Sequence, residues 1–376
     1  MKILSLYLPQ FHQIPENDEW WGKGFTEWVN VKKAKPLFEN HNQPRVPLNE
    51  NYYDLSDVIN MKKQVKIAKK YGIYGFCVYH YWFNGHLLLE KPMENYLANK
   101  DIDFPFCFCW ANEHWTNAWV SGENKILIQQ DFNDEKDWVD HFNYLLPFFK
   151  DNRYIKENNK IKFVIYYPSI IEKLKEFMDC WNNLAKQNGF EGFEFIYQHY
   201  LFHLDRNKTN ERKLFDYGIE FQPNLAMNQS KNLVKRKIEL LRAKISNFLQ
   251  TKMNIYIKIK QHNVEKFNYD CIWKKILSSK GGKNLIPGSF VDWDNTSRRG
   301  LRGSCMIENS VEKFKKYFEL QVKDFRTKYK TEYLIMFSWN EWAEGGYLEP
   351  DEKNKYGYLE AIYEILNKYN ELPGEK

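Results

Sequence analysis

Eight short, β-rich apolar runs alternate along this chain with amphipathic or polar stretches, and that alternation restricts the fold more than any other feature. The runs are KILSLYLPQF (2–11), IYGFCVYHYW (73–82), FPFCFCWAN (104–112), KFVIYY (162–167), FEFIYQHY (193–200), YGIEFQP (217–223), IPGSFVDWD (286–294) and EYLIMFSWN (332–340). Segments such as LSDVINMKKQVKIAKKYG (55–72) and SIIEKLKEFMDCWNNLAKQNG (169–189) lie between them, each ending in a Gly suited to a helix C-cap. Strands that are apolar almost throughout, separated by helices, predict a parallel sheet covered on both faces. Eight such units favour an α/β fold closed as a (β/α)8 TIM barrel over an open sheet, and 376 residues accommodate one barrel over 1–370 with long decorated βα loops.

The ends of the runs support closure. Most finish in polar or aromatic residues: Gln10 and His12, His80 and Trp82, Asn112 and Glu113, Gln198 and His199, Asp292 and Asp294, Asn340 and Glu341. In a barrel these ends share one rim, where active sites gather. A doubly wound sheet would concentrate them at one switch point, and the G-x-G-x-x-G phosphate fingerprint is absent. Two insertions stand out: a first loop (12–54) rich in Trp and Pro, and a basic helical insertion (224–262) containing LVKRKIELLRAKISNFL.

Composition narrows the function. Aromatic residues make up 17% of the chain, more than packing usually requires, and flat rings suit the C–H faces of sugars. The net charge of +6 is concentrated: residues 231–260 hold nine Lys or Arg against the single acid Glu239. Without a groove-reading module this does not point to nucleic acid. A basic helix over 231–250 is compatible with peripheral contact on an anionic membrane, or with a solvated outer helix of the barrel. The six cysteines form no C-x-x-C and are expected to be reduced, as in a cytoplasmic protein. MKILSLYLPQF lacks a small-residue cleavage site, and no apolar stretch reaches the roughly 18 residues of a membrane span. The expected location is the cytoplasm, extending to the inner face of the membrane.

The densest chemistry lies in SWNEWAEGGYLEPD (338–351). Glu341 and Glu344 are three residues apart, so one helical turn places both carboxyls on one side. Cleaving a glycosidic bond needs two carboxyls with separated proton affinities, and Trp339 and Trp342 beside them are suited to excluding water. Candidate sugar contacts are Gln10, His12, Asn112, Glu113 and Trp115, with His80, Tyr81, Trp82, Tyr197, His199 and Asn340 as further rim positions. Asp292, Trp293 and Asp294 form a D-x-D, which in metal-dependent glycosyltransferases holds a divalent ion on a nucleotide diphosphate. Those transferases use an open sheet, so here the two aspartates are expected to grip sugar hydroxyls, with no metal or cofactor in the chemistry.

YLPQFH, NDEWWGKGFTEWVNVKKAKPLF, QPRVPL, YGIYGFCVYHYWF, FPFCFCWANEHWT, VDWDNTSRRG and WNEWAEGGYLEPD occur in this order. Together they resemble the WbsX-type proteins of bacterial polysaccharide gene clusters, whose domain is similar to glycoside hydrolase family 99. The resemblance runs from residue 1 to about residue 365. It implies a (β/α)8 barrel and endo-acting, retaining cleavage of α-mannoside-type linkages in a bacterial surface polysaccharide, such as lipopolysaccharide, or its precursor. The family's E-W-x-E maps onto Glu341, implied to remove a proton from the sugar 2-hydroxyl, and Glu344, implied to act as general acid and then base. Ala343 stands where the endo-mannosidases typically carry His. A glycosyltransferase of O-antigen or capsule assembly and a non-catalytic glycan-binding barrel are the alternatives.

Overall fold

The computed structural model describes residues 1–116, 126–132, 134–198, 211–231 and 263–374. Its centre is a ring of parallel strands in sequential order. They are β1 (Lys2–Tyr7), β2 (Gly75–Phe83), β3 (Phe106–Trp110), β4 (Lys160–Ile165), β5 (Gly192–Gln198), β6 (Tyr217–Ile219), β7 (Leu285–Ile286 and Gly288–Phe290, divided at Pro287) and β8 (Tyr333–Phe337). Each of the eight apolar runs supplies one strand. β1 pairs with β2 on one side and with β8 on the other, Lys2 lying opposite Tyr333. The first half of β7 pairs with β6 and the second half with β8, so β7 closes the ring. Gly288 permits that closure, because a Cβ there would fall 2.0 Å from the Glu220 carbonyl oxygen.

The helical layer follows from local chemistry. In the first loop lie α1 (Pro15–Trp21) and α2 (Glu27–Lys33); then come α3 (Val58–Lys70), α4 (Lys91–Ala98), α5 (Glu135–Lys150), α6 (Leu174–Gln187), α7 (Asn224–Ser230), α8 (Tyr269–Leu277), α9 (Thr296–Arg299), α10 (Val311–Lys328) and α11 (Gly357–Lys368). Side chains of Asp57, Asp134, Asn268 and Ser310 accept from the first free backbone N–H groups of α3, α5, α8 and α10, a standard start signal. Each helix turns its apolar stripe to the strands: Phe177, Met178 and Trp181 of α6 are buried against the barrel wall.

The barrel interior is packed rather than hollow. Lys162 of β4 pairs with Glu194 of β5 and lies 4.6 Å from the ring centre of Tyr333 on β8, a buried charge satisfied across three strands. All six cysteines are free, and Cys77, Cys107, Cys109 and Cys305 are buried. Among the described residues no helix is long and apolar enough to cross a membrane. Most of the basic insertion, including 232–250, lies outside the described residues; residues 224–230 form α7, which buries Leu225, Ala226, Met227 and Asn228.

Candidate active site

A cleft of about 670 Å³ opens at the C-terminal mouth of the barrel. Its lining comes from beyond or at the ends of seven strands: Leu8 after β1, Tyr79 and Tyr81 on β2, Glu113 after β3, Tyr166 after β4, Phe221 after β6, Trp293 after β7, and Phe337 and Glu341 from the β8 side. The first loop contributes Asn17, Trp21, Phe25, Glu27 and Asn30. This is the mouth at which the βα loops of such barrels converge.

Glu341 and Glu344 share the cleft because the chain folds back sharply after β8. Asn340–Glu341 pairs antiparallel with Gly346–Tyr347, and Trp342–Glu344 forms a 3₁₀ turn, whose threefold repeat brings positions three apart onto one side. Gly345 adopts φ 64°, and a Cβ there would fall 2.9 Å from Asp294. A Cβ on Gly346 would come within 2.2 Å of the Phe337 ring. The pair of glycines after the E-W-x-E is thus required by close approach of the turn to β7 and β8. Glu341 is further fixed by its backbone N–H donating to Ser338 Oγ at 2.8 Å.

Arg298 of α9 joins three carboxylates. Its Nη1 donates to Glu344 Oε1 at 2.9 Å, its Nη2 and Nε donate to Glu27 Oε2 at 3.0 and 3.2 Å, and Nη2 lies 3.6 Å from Glu341 Oε2. Burial opposes the guanidinium charge, and Glu27, Glu344 and Glu341 outweigh it, so Arg298 stays charged. Burial raises the Glu341 carboxyl well above its usual range; Glu344 adds to this and Arg298 opposes it. Burial raises Glu344 as well, against the pull of Arg298 and Arg299. The pair therefore titrates as a unit. Glu344 holds the direct ion pair, while Glu341 Oε2 is buried with no hydrogen-bond partner among the described residues. The geometry favours the proton on Glu341 and the charge on Glu344.

Of the other residues expected from sequence, the cleft brings together Gln10, Tyr81, Glu113, Trp115 and Trp293. Gln10 Nε2 donates to the Tyr81 hydroxyl at 2.8 Å, and the Trp115 ring meets Tyr81 edge-on at 5.2 Å. Burial pushes the Glu113 carboxyl up to about 7. Its proton is bound more tightly in the folded than in the unfolded chain, so the resulting stabilisation is present below about pH 4.5 and is lost as pH rises through 7. Glu113→Gln mimics the protonated form. The variant is expected to match the parent at about pH 4 and to exceed its unfolding free energy by about 3 kcal/mol at pH 8.5, measured by urea titration. A constant difference across that range would refute the assignment.

Several expected contacts lie elsewhere. Asp292 and Asp294 are buried beneath the cleft and do not line it. Arg45 Nη2 donates to Asp292 Oδ2 at 2.8 Å, and Asp294 Oδ2 accepts from Gln43 Nε2 at 2.7 Å and faces His41 Nε2 at 3.0 Å. Asp294 Oδ1 accepts from the Thr296 N–H and hydroxyl at 3.0 and 2.6 Å. These aspartates bind the first loop to the end of β7, so the expectation that they grip sugar hydroxyls is corrected. Among the described residues no group of three or more His, Cys, Asp or Glu is placed to hold a metal ion.

His80 and Trp82 face the helical layer. His80 Nε2 lies 2.9 Å from His141 Nε2 of α5, and Trp82 donates to Asp137 at 2.9 Å and stacks on His141. Asn112 clips β3 to β4, its Nδ2 donating to the Tyr167 carbonyl at 2.8 Å and its Oδ1 accepting the Tyr167 N–H at 2.7 Å. Asn340 does the same between β8 and β1, accepting from the Leu8 N–H at 2.7 Å and donating to the Leu8 carbonyl at 2.9 Å. His12 is buried with Nδ1 3.0 Å from the Pro9 carbonyl, and Tyr197 packs on Phe215. Trp339 is fully buried near Phe76. Trp342 stacks on Tyr347 at 3.7 Å and donates to Glu349 at 2.6 Å, supporting the turn from below. Ala343 is buried too, so the position does not face the cleft. His199 lies outside the described residues.

Glu27, Arg298, Arg299 and Arg302 are cleft residues that sequence reasoning did not select. Three of them sat inside quoted motifs, Glu27 in GFTEWVNV and Arg298 and Arg299 in VDWDNTSRRG. The pairing of Glu27 with Arg298 spans 271 residues and has no local signature.

Comparison with known proteins agrees with this architecture. The structure is similar to the GH99 endo-α-mannosidase from Bacteroides thetaiotaomicron, with a TM-score of 0.54, 12% identity and coverage of 98% of both chains. It is also similar to a glycoside hydrolase-like protein, with a TM-score of 0.57, 12% identity and coverage of 97% of this chain and 93% of the other. At such identity the likeness extends to the fold, an α/β barrel of the kind found in glycoside hydrolases. In sequence the chain is 30% identical over 375 residues to uncharacterized protein WxcX of Xanthomonas campestris pv. campestris in each of two strains. It covers 99% of this chain but spans only about half, 50%, of those relatives. Residues 3–362 match the family described as glycosyltransferase WbsX, and the chain belongs to that family.

Proposed function

We propose that this protein is a retaining, endo-acting glycoside hydrolase, or transglycosylase, of internal α-mannoside-type linkages in a bacterial surface polysaccharide or its precursor, with Glu341 and Glu344 as its working carboxyls. One observation carries the reading: two glutamates three residues apart share a single arginine at the mouth of a closed barrel, within an aromatic-walled cleft. Similarity of fold to an endo-α-mannosidase supports it. Glu341 takes the proton of the sugar 2-hydroxyl, whose oxygen attacks C1 to form a 1,2-anhydro sugar. Glu344 gives its proton to the departing glycosidic oxygen. Glu344 then deprotonates water or an acceptor hydroxyl, which opens the three-membered ring at C1. The 2-oxygen recovers its proton from Glu341, and the configuration is retained.

These roles need the proton on Glu344, whereas Arg298 at 2.9 Å favours its charge. The sugar must loosen that pair on entry, or the two glutamates exchange roles. A transferase reading draws on the family's own description. Proton NMR of α-linked manno-oligosaccharides incubated with the protein separates the readings. The expected result is a new reducing end that appears first as the α-anomer and is unaffected by EDTA. Consumption of a nucleotide sugar only with a divalent metal, and no new reducing ends, would replace this reading with the transferase.

A further inference from the structure

The wall of the cleft beside Glu344 is strongly basic in a way that cleavage of a neutral sugar does not require. Arg298, Arg299 and Arg302 all line it, carried by α9 and by the 3₁₀ turn Gly300–Arg302 that follows. Arg298 is occupied by Glu27, Glu341 and Glu344. Lys231, on the same cleft, pairs with Glu265 at 3.4 Å. Arg299 is exposed and acts electrostatically on Glu344. Arg302 is half-buried in the wall, and its guanidinium makes no hydrogen bond or ion pair among the described residues. A guanidinium held partly out of water and left without a carboxylate is costly unless something from outside completes it.

The segment that carries these arginines is braced. Asn295 Oδ1 accepts the Ser304 N–H at 2.8 Å, Trp293 Nε1 donates to Ser304 Oγ at 3.0 Å, and Ser297 Oγ donates to the Ala343 carbonyl at 2.6 Å. Gly303 packs so tightly that a Cβ would lie 2.9 Å from Asn295 Oδ1 and 3.0 Å from Thr296. The loop is therefore tied both to β7 and to the turn that holds the two glutamates. The backbone that carries Arg302 is thus fixed relative to them before any ligand arrives, which leaves only the side chain to be ordered on binding.

We propose that this end of the cleft receives an oxyanion carried by the substrate, a sugar carboxylate or phosphate gripped by Arg302 with help from Arg299, so that the natural substrate is an anionic glycan. The planar fork of arginine matches both groups, and they share the chemistry that the wall offers. The inference rests on the glycan-processing reading and adds the substrate's charge to it.

The test uses sulfur-linked, uncleavable α-manno-trisaccharides in three forms: neutral, oxidised to the uronate at C6 of one terminal sugar, and phosphorylated at that position. Binding is read by tryptophan fluorescence and calorimetry at low salt. At least one acidic form is expected to bind about tenfold or more tightly than the neutral one, with the advantage shrinking as salt rises. Which acidic form binds better identifies the group as carboxylate or phosphate. Arg302→Gln should remove most of the advantage, and Arg299→Gln with Arg302→Gln all of it, while affinity for the neutral form stays within about twofold and the thermal midpoint is unchanged. Equal binding of the neutral and both acidic forms overturns the proposal and leaves the glycan reading standing, as does a preference that survives the double substitution. Failure of all three ligands to bind overturns both.

Discussion

Glu341→Gln and Glu344→Gln are each expected to lower turnover of an oligosaccharide substrate by about 10³-fold or more, the range for removing a general acid or base. Gln keeps the shape of the side chain but neither ionises nor donates a labile proton. Because the two glutamates act in the same bond-breaking step and share one arginine, the losses will not add: the double variant should be about as slow as the slower single one. A glycosyl fluoride distinguishes the roles, since fluoride leaves without protonation. If Glu344 is the acid, Glu344→Gln recovers the bond-breaking step on the fluoride and Glu341→Gln does not. The opposite pattern assigns the acid to Glu341, the carboxyl that the geometry favours for the proton. Parent rates in both variants on the oligosaccharide would remove these glutamates from the chemistry, and tight oligosaccharide binding without turnover by the parent would leave a glycan-binding barrel.

The second large effect is on stability. Asp292→Ala leaves the Arg45 guanidinium buried with Asp294 at 3.6 Å as its remaining carboxylate among the described residues, and breaking a buried pair in this way costs about 3–5 kcal/mol. Replacing both partners by apolar residues, Arg45→Met with Asp292→Leu, should recover most of that loss in urea unfolding, because no uncompensated charge remains. If the single and double variants are equally unstable, the Asp292 carboxylate has a role other than partner to Arg45. Acid sensitivity has the same origin. Burial works to raise the Asp294 carboxyl, but the His41 and Thr296 hydrogen bonds and Arg45 hold it down at about 2. Its stabilisation is full above the ordinary carboxylate range near 4 and disappears as pH falls through 2, so Asp294→Asn should flatten acid unfolding between those values.

The barrel was legible because its cause is local. Each strand is an apolar run of β-branched and aromatic residues, and counting eight of them predicts closure without knowledge of any contact. The turn bearing Glu341 and Glu344 was legible for a similar reason, since both carboxyls and the glycines that fold them lie within one short stretch. What sequence could not convey was the direction in which each rim residue points. Alternation along β2 sends Tyr79 and Tyr81 into the cleft but His80 and Trp82 outward to His141 and Asp137 of α5, although all four look equally suited to sugar. Asp292 and Asp294 were misplaced for another reason. Their partners Arg45, His41 and Gln43 lie about 250 residues away in a loop without regular periodicity, as shown by separations of 247, 253 and 251. The Arg298 hub depends on tertiary pairing in the same way.

The arrangement of that hub also bears on biosynthesis. Glu27 is made 271 residues before Arg298, and Glu341 and Glu344 follow later still; the strand preceding them must then slide in beside β1, which is made before every other strand of the ring. A nascent polypeptide on the ribosome thus carries Glu27 without this counter-ion while the 271 residues to Arg298 are made. A chain that stops before residue 341 lacks both carboxyls that the 3₁₀ turn brings to Arg298, and one that stops before residue 344 lacks the carboxyl in direct contact with it.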